Sequence, residues 1–216
     1  MFMQLDVAAA KQADQTGKFI KDTGKYIGKF TKAEELTAST GTKGVSFTFE
    51  SNDGQSVNFS IYIAKANGEK LSSYQTLHAI MACMKLRSVS VPVTGVATKY
   101  DFTTKQDVQY QAPLLLDLMN KPIGVLLQSC EYAKEKDRVL TGEYGWKIEL
   151  QGAFEAATEL TASEILLNKT KPEVLAQIVA HLGDRPLKNK VGGARSTQSN
   201  NDDQGYRSND ISGCPF

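Results

Sequence analysis

Histidine, cysteine and tryptophan are scarce: the 216 residues hold two, three and one of them. Metal centres and nucleophilic sites draw heavily on the first two, so each can be judged singly. Cys83, Cys130 and Cys214 are widely spaced and never form a CxxC pair. That argues against a disulfide framework and a zinc site, and for a reducing compartment. His78 falls on the apolar stripe of a predicted helix and is expected in or beside the core. His181 sits near a predicted helix C-terminus, where positive charge is favourable without any special role. Neither has cysteine or carboxylate company at metal-ligand spacing. No GxSxG, HExxH or phosphate-cradling glycine loop occurs. Glu34 and Glu35 are adjacent in a predicted strand, project to opposite faces and cannot act as a dyad. The sequence therefore offers no catalytic residue, no metal ligand set and no cofactor motif. A non-enzymatic protein is expected.

Long apolar runs are missing too. Nothing approaches the roughly 18 residues that a membrane helix needs, and MFMQLDVAAAKQADQTGK lacks the basic-then-apolar layout of a secretory signal. The cytoplasm is the expected location. Aliphatic residues almost vanish after Leu187, in KNKVGGARSTQSNNDDQGYRSNDISGCPF. A stretch this polar buries too little apolar area to offset its ordering entropy, so 187–216 is predicted to be a disordered tail. Its end, with Asp202, Asp203, Asp210, Pro215 and Phe216, reads either as a frayed terminus or as a peptide for a partner's pocket. Such a pocket would hold the ring in an apolar slot and the carboxylate by Arg or Lys.

Net charge is only +1, but unevenly spread. Lys11, Lys18, Lys21, Lys25, Lys29 and Lys32 face only Asp14 and Asp22, a local excess of four positive charges. This is either a phosphate-facing surface or a solvated lysine face. Residues 1–23 are read as a basic segment ahead of one domain, 24–186, long enough for a full core.

Within it, Tyr26, Gly28 and Phe30 alternate as in a half-buried strand. Val45, Phe47 and Phe49 alternate with Ser46 and Thr48. Val57, Phe59, Ile61 and Ile63 alternate with Asn58, Ser60 and Tyr62. Asn52-Asp53-Gly54 between them is a turn signal, so these segments predict an antiparallel meander. Tyr74, Leu77, His78, Met81 and Met84 then follow helical spacing, with Ser72 or Ser73 as cap. Residues 88–122 are β-rich but broken by Pro92 and Gly95, and read as an irregular excursion or hairpin. Ile123 to about Tyr132 predicts a strand. Tyr144, Trp146, Ile148 and Leu150 predict another, with Trp146 in the core. Thr161 and Glu164 have the spacing of a capping box. A last helix is expected between Pro172 and Gly183. Three strands, a helix and further strands give a mainly β fold. The order is that of a five-stranded OB barrel with its helix between strands 3 and 4, and 88–122 as an insertion.

The ordered series GKYIGKFTKAEELTASTGTKGVSFTFESNDG, HAIMACMKL, NKPIGVLLQ and LTASEIL, over roughly residues 24–167, resembles phage-encoded single-stranded DNA-binding proteins. The resemblance implies an OB core, no enzymatic activity, and coating of single strands in phage DNA replication and recombination. It also implies a terminal-Phe tail that recruits replication or recombination proteins. DISGCPF fits this at Asp210, Pro215 and Phe216, but the tail holds few acids and includes Arg207. A homo-oligomer is compatible with it.

Strand binding needs cations along the phosphates and aromatic faces for the bases. Tyr62, outward between polar neighbours, is the foremost stacking candidate, the alternative being packing beneath the 88–122 insertion. Lys25, Lys29, Lys32, Lys43 and Lys65 lie on or beside the meander strands. Tyr100, Phe102 and Tyr110 interleave with Lys99 and Lys105, either as a clamp on a strand or as a satellite apolar cluster. The competing functional class is a protein-interaction or structural module on the same barrel.

Overall fold

The computed structural model describes residues 19–101, 103–136 and 139–188. Three strands come first: β1 (Gly24–Thr37), β2 (Lys43–Ser51) and β3 (Ser56–Ala64). Helix α1 (Ser73–Cys83) leads to β4 (Val93–Asp101) and β5 (Gln106–Leu114). After a 3₁₀ turn at Leu116–Leu118 come β6 (Pro122–Lys136), β7 (Val139–Phe154), α2 (Ala162–Leu166) and α3 (Val174–His181). The fold is mainly β, and the seven strands of the described residues join one antiparallel sheet where five were expected. Residues 88–122, read as an irregular excursion or hairpin, contain a regular β4–β5 hairpin paired from Val93↔Leu114 to Asp101↔Gln106.

β1 is the strand on which the sheet turns. One edge pairs with β2 along most of its length. The other pairs with β6 from Gly24↔Leu127 to Lys29↔Pro122, then meets β5 at Glu34↔Leu114. Between these two partners, Asn120 N–H donates to Phe30 O and Leu115 N–H to Ala33 O, both at 2.8 Å. The carbonyls left by the change of partner are thereby satisfied, as buried backbone groups must be. β6 then pairs with β7, and β3 approaches β7 with no ladder between them among the described residues.

The alternation in the meander resolves into a dense aromatic core. Phe30, Phe47 and Phe49 are wholly buried, and Phe59 nearly so. The Phe30 ring centroid lies 4.5, 5.9 and 6.1 Å from those of Phe47, Phe49 and Phe59. Each such ring contributes roughly 1.5–3 kcal/mol by burial. Two glycines allow close approach: a Cβ on Gly28 would stand 2.0 Å from Glu50 O, and one on Gly124 2.1 Å from the Phe154 ring.

Helix α1 packs through Leu77, Ile80, Met81, Cys83 and Met84, while His78 is exposed. The expected stripe is thus rotated: Ile80 carries the buried face, and His78 rests its ring 4.4 Å from that of Tyr74. No cap hydrogen bond is made by the Ser72 side chain. Trp146 is also a correction, being 52% exposed where core was expected. It lies where the β6–β7 hairpin runs past the core, so its strand face continues into solvent, whereas Ile148 and Leu150 still pack against the core. Burial pushes the thiols of Cys83 and Cys130 up to about 12 and about 11, with nearby Glu155 and Glu149 adding to it. Both therefore stay protonated at neutral pH. No helix among the described residues is long and apolar enough to cross a membrane.

The Thr161–Glu164 capping box forms as its spacing predicts. Glu164, 1% exposed, does more than cap its own helix. One carboxylate oxygen accepts from Thr161 N–H and Oγ1–H at 2.8 Å, and the other from the N–H groups of Glu173 and Val174 at 2.6 and 2.9 Å. One buried anion thus joins the starts of α2 and α3. These backbone donors, led by Thr161 and Val174, depress its pKa to about 2. A depressed carboxyl contributes stability that is present above its ordinary value of 4.5 and lost as pH falls towards about 2. The wild-type melting temperature is accordingly expected to fall across that window more steeply than that of Glu164→Gln, which should start lower at pH 7. Parallel curves would remove Glu164 as the anchor of the two helices.

Candidate nucleic-acid interface

Opposite the phenylalanine core, the outer face of the meander is assembled row by row from the strand register. Lys29, Glu50 and Ser56 form one row, then Lys32, Thr48 and Asn58, then Glu34, Ser46 and Ser60, and finally Leu36, Gly44 and Tyr62. A β-bulge between Phe30 and Lys32 makes this possible. With strict alternation Lys29 and Lys32 would point to opposite faces; the extra residue, Thr31, brings both to the outer one. The face is polar, with hydroxyls already oriented: Thr31 Oγ1 donates to Thr48 O at 3.3 Å and Thr48 Oγ1 to Asn58 Oδ1 at 2.6 Å.

The β4–β5 hairpin stands over the edge of this platform as an arm. Its inward face, Ala97, Ala112 and Leu114 with Tyr110, forms a small apolar cluster against which Met119 packs. Between arm and sheet runs a cleft of about 330 Å³, with Thr31, Lys32 and Thr48 on the sheet side and Val96, Ala97 and Thr98 on the arm side. A second cleft of about 360 Å³ adjoins it along β1, bordered by Lys29, Glu50, Asn52 and Asn120. The Lys29–Glu50 row borders the second cleft and the neighbouring Lys32–Thr48 row the first.

Tyr110 fastens the arm. Its hydroxyl donates to Glu34 Oε2 at 2.5 Å and accepts from Lys32 Nζ at 3.2 Å, while Lys32 Nζ lies 3.4 Å from the same Glu34 oxygen. Lys99 Nζ stands 5.3 Å from the centroid of the Tyr110 ring. Burial, and next the bond to Glu34, raise the Tyr110 phenol above its ordinary value of 10.

The predicted cations divide. Lys29 and Lys32 border the clefts, and Lys43 is exposed at the start of β2. Lys25 is engaged with Glu159 at 2.6 Å and lies 5.8 Å from the Phe154 ring centroid; Lys65 pairs with Glu69 at 2.9 Å. Tyr62 is half-buried on the outer face. The expected aromatic interleave is split by strand alternation. Tyr110 and Lys99 share the inward face of the arm, Tyr100 is 51% exposed on the other, and Lys105 is at the exposed hairpin tip with φ 55°. Phe102, Lys11, Lys18 and the tail residues Asp202, Asp203, Asp210, Pro215 and Phe216 lie outside the described residues.

Four residues have places that the sequence reading missed. Thr31 and Thr48 line the cleft because of a bulge that no motif announces. Glu34 was weighed only as half of a carboxylate dyad. Trp146 is exposed near Lys147, whose ammonium is 5.9 Å from the centroid of Tyr132. A scan against protein-family models finds no match, and a search among curated proteins finds none.

Trp146 is the single tryptophan of the chain, so its exposure is directly readable. Acrylamide should quench native fluorescence nearly as efficiently as that of the unfolded protein. Strong shielding in the native state would place the indole in an interior.

Proposed function

We propose that the protein binds single-stranded nucleic acid across the outer face of β1–β3, beneath the β4–β5 arm, and coats single-stranded DNA with little sequence preference. The observation that carries this reading is the cleft between a polar, lysine-bearing strand face and an adjoining arm. It is open, with Lys32 and three threonine hydroxyls beside Val96, Ala97, Leu114 and Met119, a lining that can take both a phosphate and a base. Strand order supports it: β3-β2-β1-β6-β7 is the sequence of strands in an OB barrel, with β4–β5 inserted before the fourth. That fold uses its second and third strands and their flanking loops to hold oligonucleotides.

In this reading Lys29 and Lys32 neutralise successive phosphates, while Tyr62 offers a stacking face at the far end of the platform. Neither demands a particular base, so preference among sequences is weak. The platform sets two lysines against Glu34 and Glu50, and the salt dependence is therefore shallow for a strand binder. With about two to four phosphates neutralised, log affinity should fall with log salt at a slope of roughly −1.5 to −3. The resemblance to phage single-strand binders favours a role in DNA replication or recombination in a host cytoplasm, with partners recruited through the C-terminal segment.

Exposed Val139, Leu140 and Trp146 on the β6–β7 hairpin favour a second reading, a protein-interaction module. Salt separates the two, because an apolar interface has little counterion release.

Anisotropy titrations with a fluorescent oligo-dT and with duplex of equal length test the proposal. The single strand should bind more tightly, because duplex hides the stacking faces. Equal affinity, or affinity indifferent to salt, would contradict it. Tyr62→Ala should weaken strand binding by about 1–3 kcal/mol with the melting temperature little changed. Lys29→Ala should reduce the salt slope by about 0.7. A fall in stability without a separate fall in affinity would return Tyr62 to a packing role.

A further inference from the structure

Lys32 is the cation best placed in the cleft, yet it is not free in this structure. Its side chain and that of Glu34 are only 18% and 19% exposed, and they lie 3.4 Å apart with the Tyr110 hydroxyl bonded to both. A half-buried pair interacts more strongly than one in open solvent. An incoming phosphodiester cannot simply add to it. With the carboxylate in place, the approach of a second anion to the same ammonium brings two negative charges together. We propose that Glu34 occupies a phosphate subsite at Lys32 in the free protein, and that a strand phosphate takes the place of its carboxylate. This rests on the strand-binding reading.

Three features of the surroundings fit an exchange. Glu34 shares its row with Ser46 and Ser60, whose hydroxyls can receive the displaced carboxylate. Lys99, near the Tyr110 ring on the arm, supplies a second positive charge on the other side of the cleft. Thr31 and Thr48 carry hydroxyls beside Lys32, where phosphate oxygens would arrive.

The exchange reaches the arm through Tyr110. The ladder between β1 and β5 consists of the pair Glu34↔Leu114, so the Tyr110 hydroxyl is one of few polar ties between arm and sheet. When the carboxylate leaves, the hydroxyl is free to donate to the phosphate. The same residue that closes the empty cleft then closes over an occupied one. The free protein is thus held back by its own carboxylate, which keeps weak or isolated anions out of the subsite.

The test uses the full chain and fluorescent oligo-dT over several salt concentrations. Glu34→Gln preserves shape and removes the competing charge. It should bind roughly 3–10-fold more tightly than wild type, with a steeper salt slope, because no carboxylate has to leave Lys32 and take up a cation as the phosphate arrives. Glu34→Ser, which removes the carboxylate without requiring an amide to pack, should move affinity the same way. Lys169→Ala, whose ion pair with Glu173 is remote from the cleft, should match wild type. If wild type binds but both Glu34 variants bind equally or more weakly at an unchanged slope, the subsite is overturned and strand binding stands. If wild type does not bind oligo-dT at all, the strand-binding reading falls and takes the subsite with it.

Discussion

The bulge at Thr31 is the constraint on which the rest depends. One extra residue in β1 does two things at once. It lets the strand leave β6 and meet β5, so that the arm can rise from the same edge that holds the core hairpin. It also resets the alternation, placing Lys29 and Lys32 on the same face while Phe30 and Ala33 stay buried. A regular strand would have to choose between the aromatic core and the second outward lysine. A bulge removes the choice at the cost of a ladder position with β2, while on the opposite edge the Phe30 and Ala33 carbonyls accept from Asn120 and Leu115 N–H in the segment that roots the arm.

The two faces of the meander then divide the labour. The inner face is closed by four phenylalanines in mutual contact, which is rigid because dense packing leaves no alternative arrangement of the rings. The outer face carries little apolar area and adds little to stability. Its side chains are available to a ligand because the inner face holds the strands in place. Glu164 does for the C-terminal helices what the bulge does for the sheet: one residue meets the needs of two elements.

Much of the fold was legible in the sequence, for identifiable reasons. Alternation in 45–49 and 57–63 is decisive when one face is aromatic and the other hydroxylic, and the capping box at Thr161–Glu164 follows from local hydrogen bonding. What was not legible depended on distant contacts. The helical stripe suggested a His78 in or beside the core, but the side of α1 that packs was set by the strands it meets, and Ile80 took the central place. Trp146 reads as core because alternation reveals which side a residue faces, not how far the sheet extends beyond its core. Segment 88–122 looked irregular because Pro92 and Gly95 weaken the period, although Gly95 sits in a regular ladder opposite Ala112. The candidate site was legible in its residue types only. Lys29, Lys32 and Tyr62 stood out as outward cations and ring, whereas the cleft itself comes from the bulge and from an arm that strand alternation splits into two unlike faces.

The central claim is that the ligand lies along the outer face of β1–β3 under the arm. Amide chemical shifts of the isotopically labelled protein, followed as oligo-dT is added, test it most directly. The expected result is a contiguous set of perturbed amides on β1–β3 around Lys29, Lys32, Thr48 and Tyr62, joined by Val96 to Thr98 on the arm, with α2 and α3 unmoved. Perturbations confined to the β6–β7 hairpin and the C-terminal helices, or none at saturating oligonucleotide, would contradict the account.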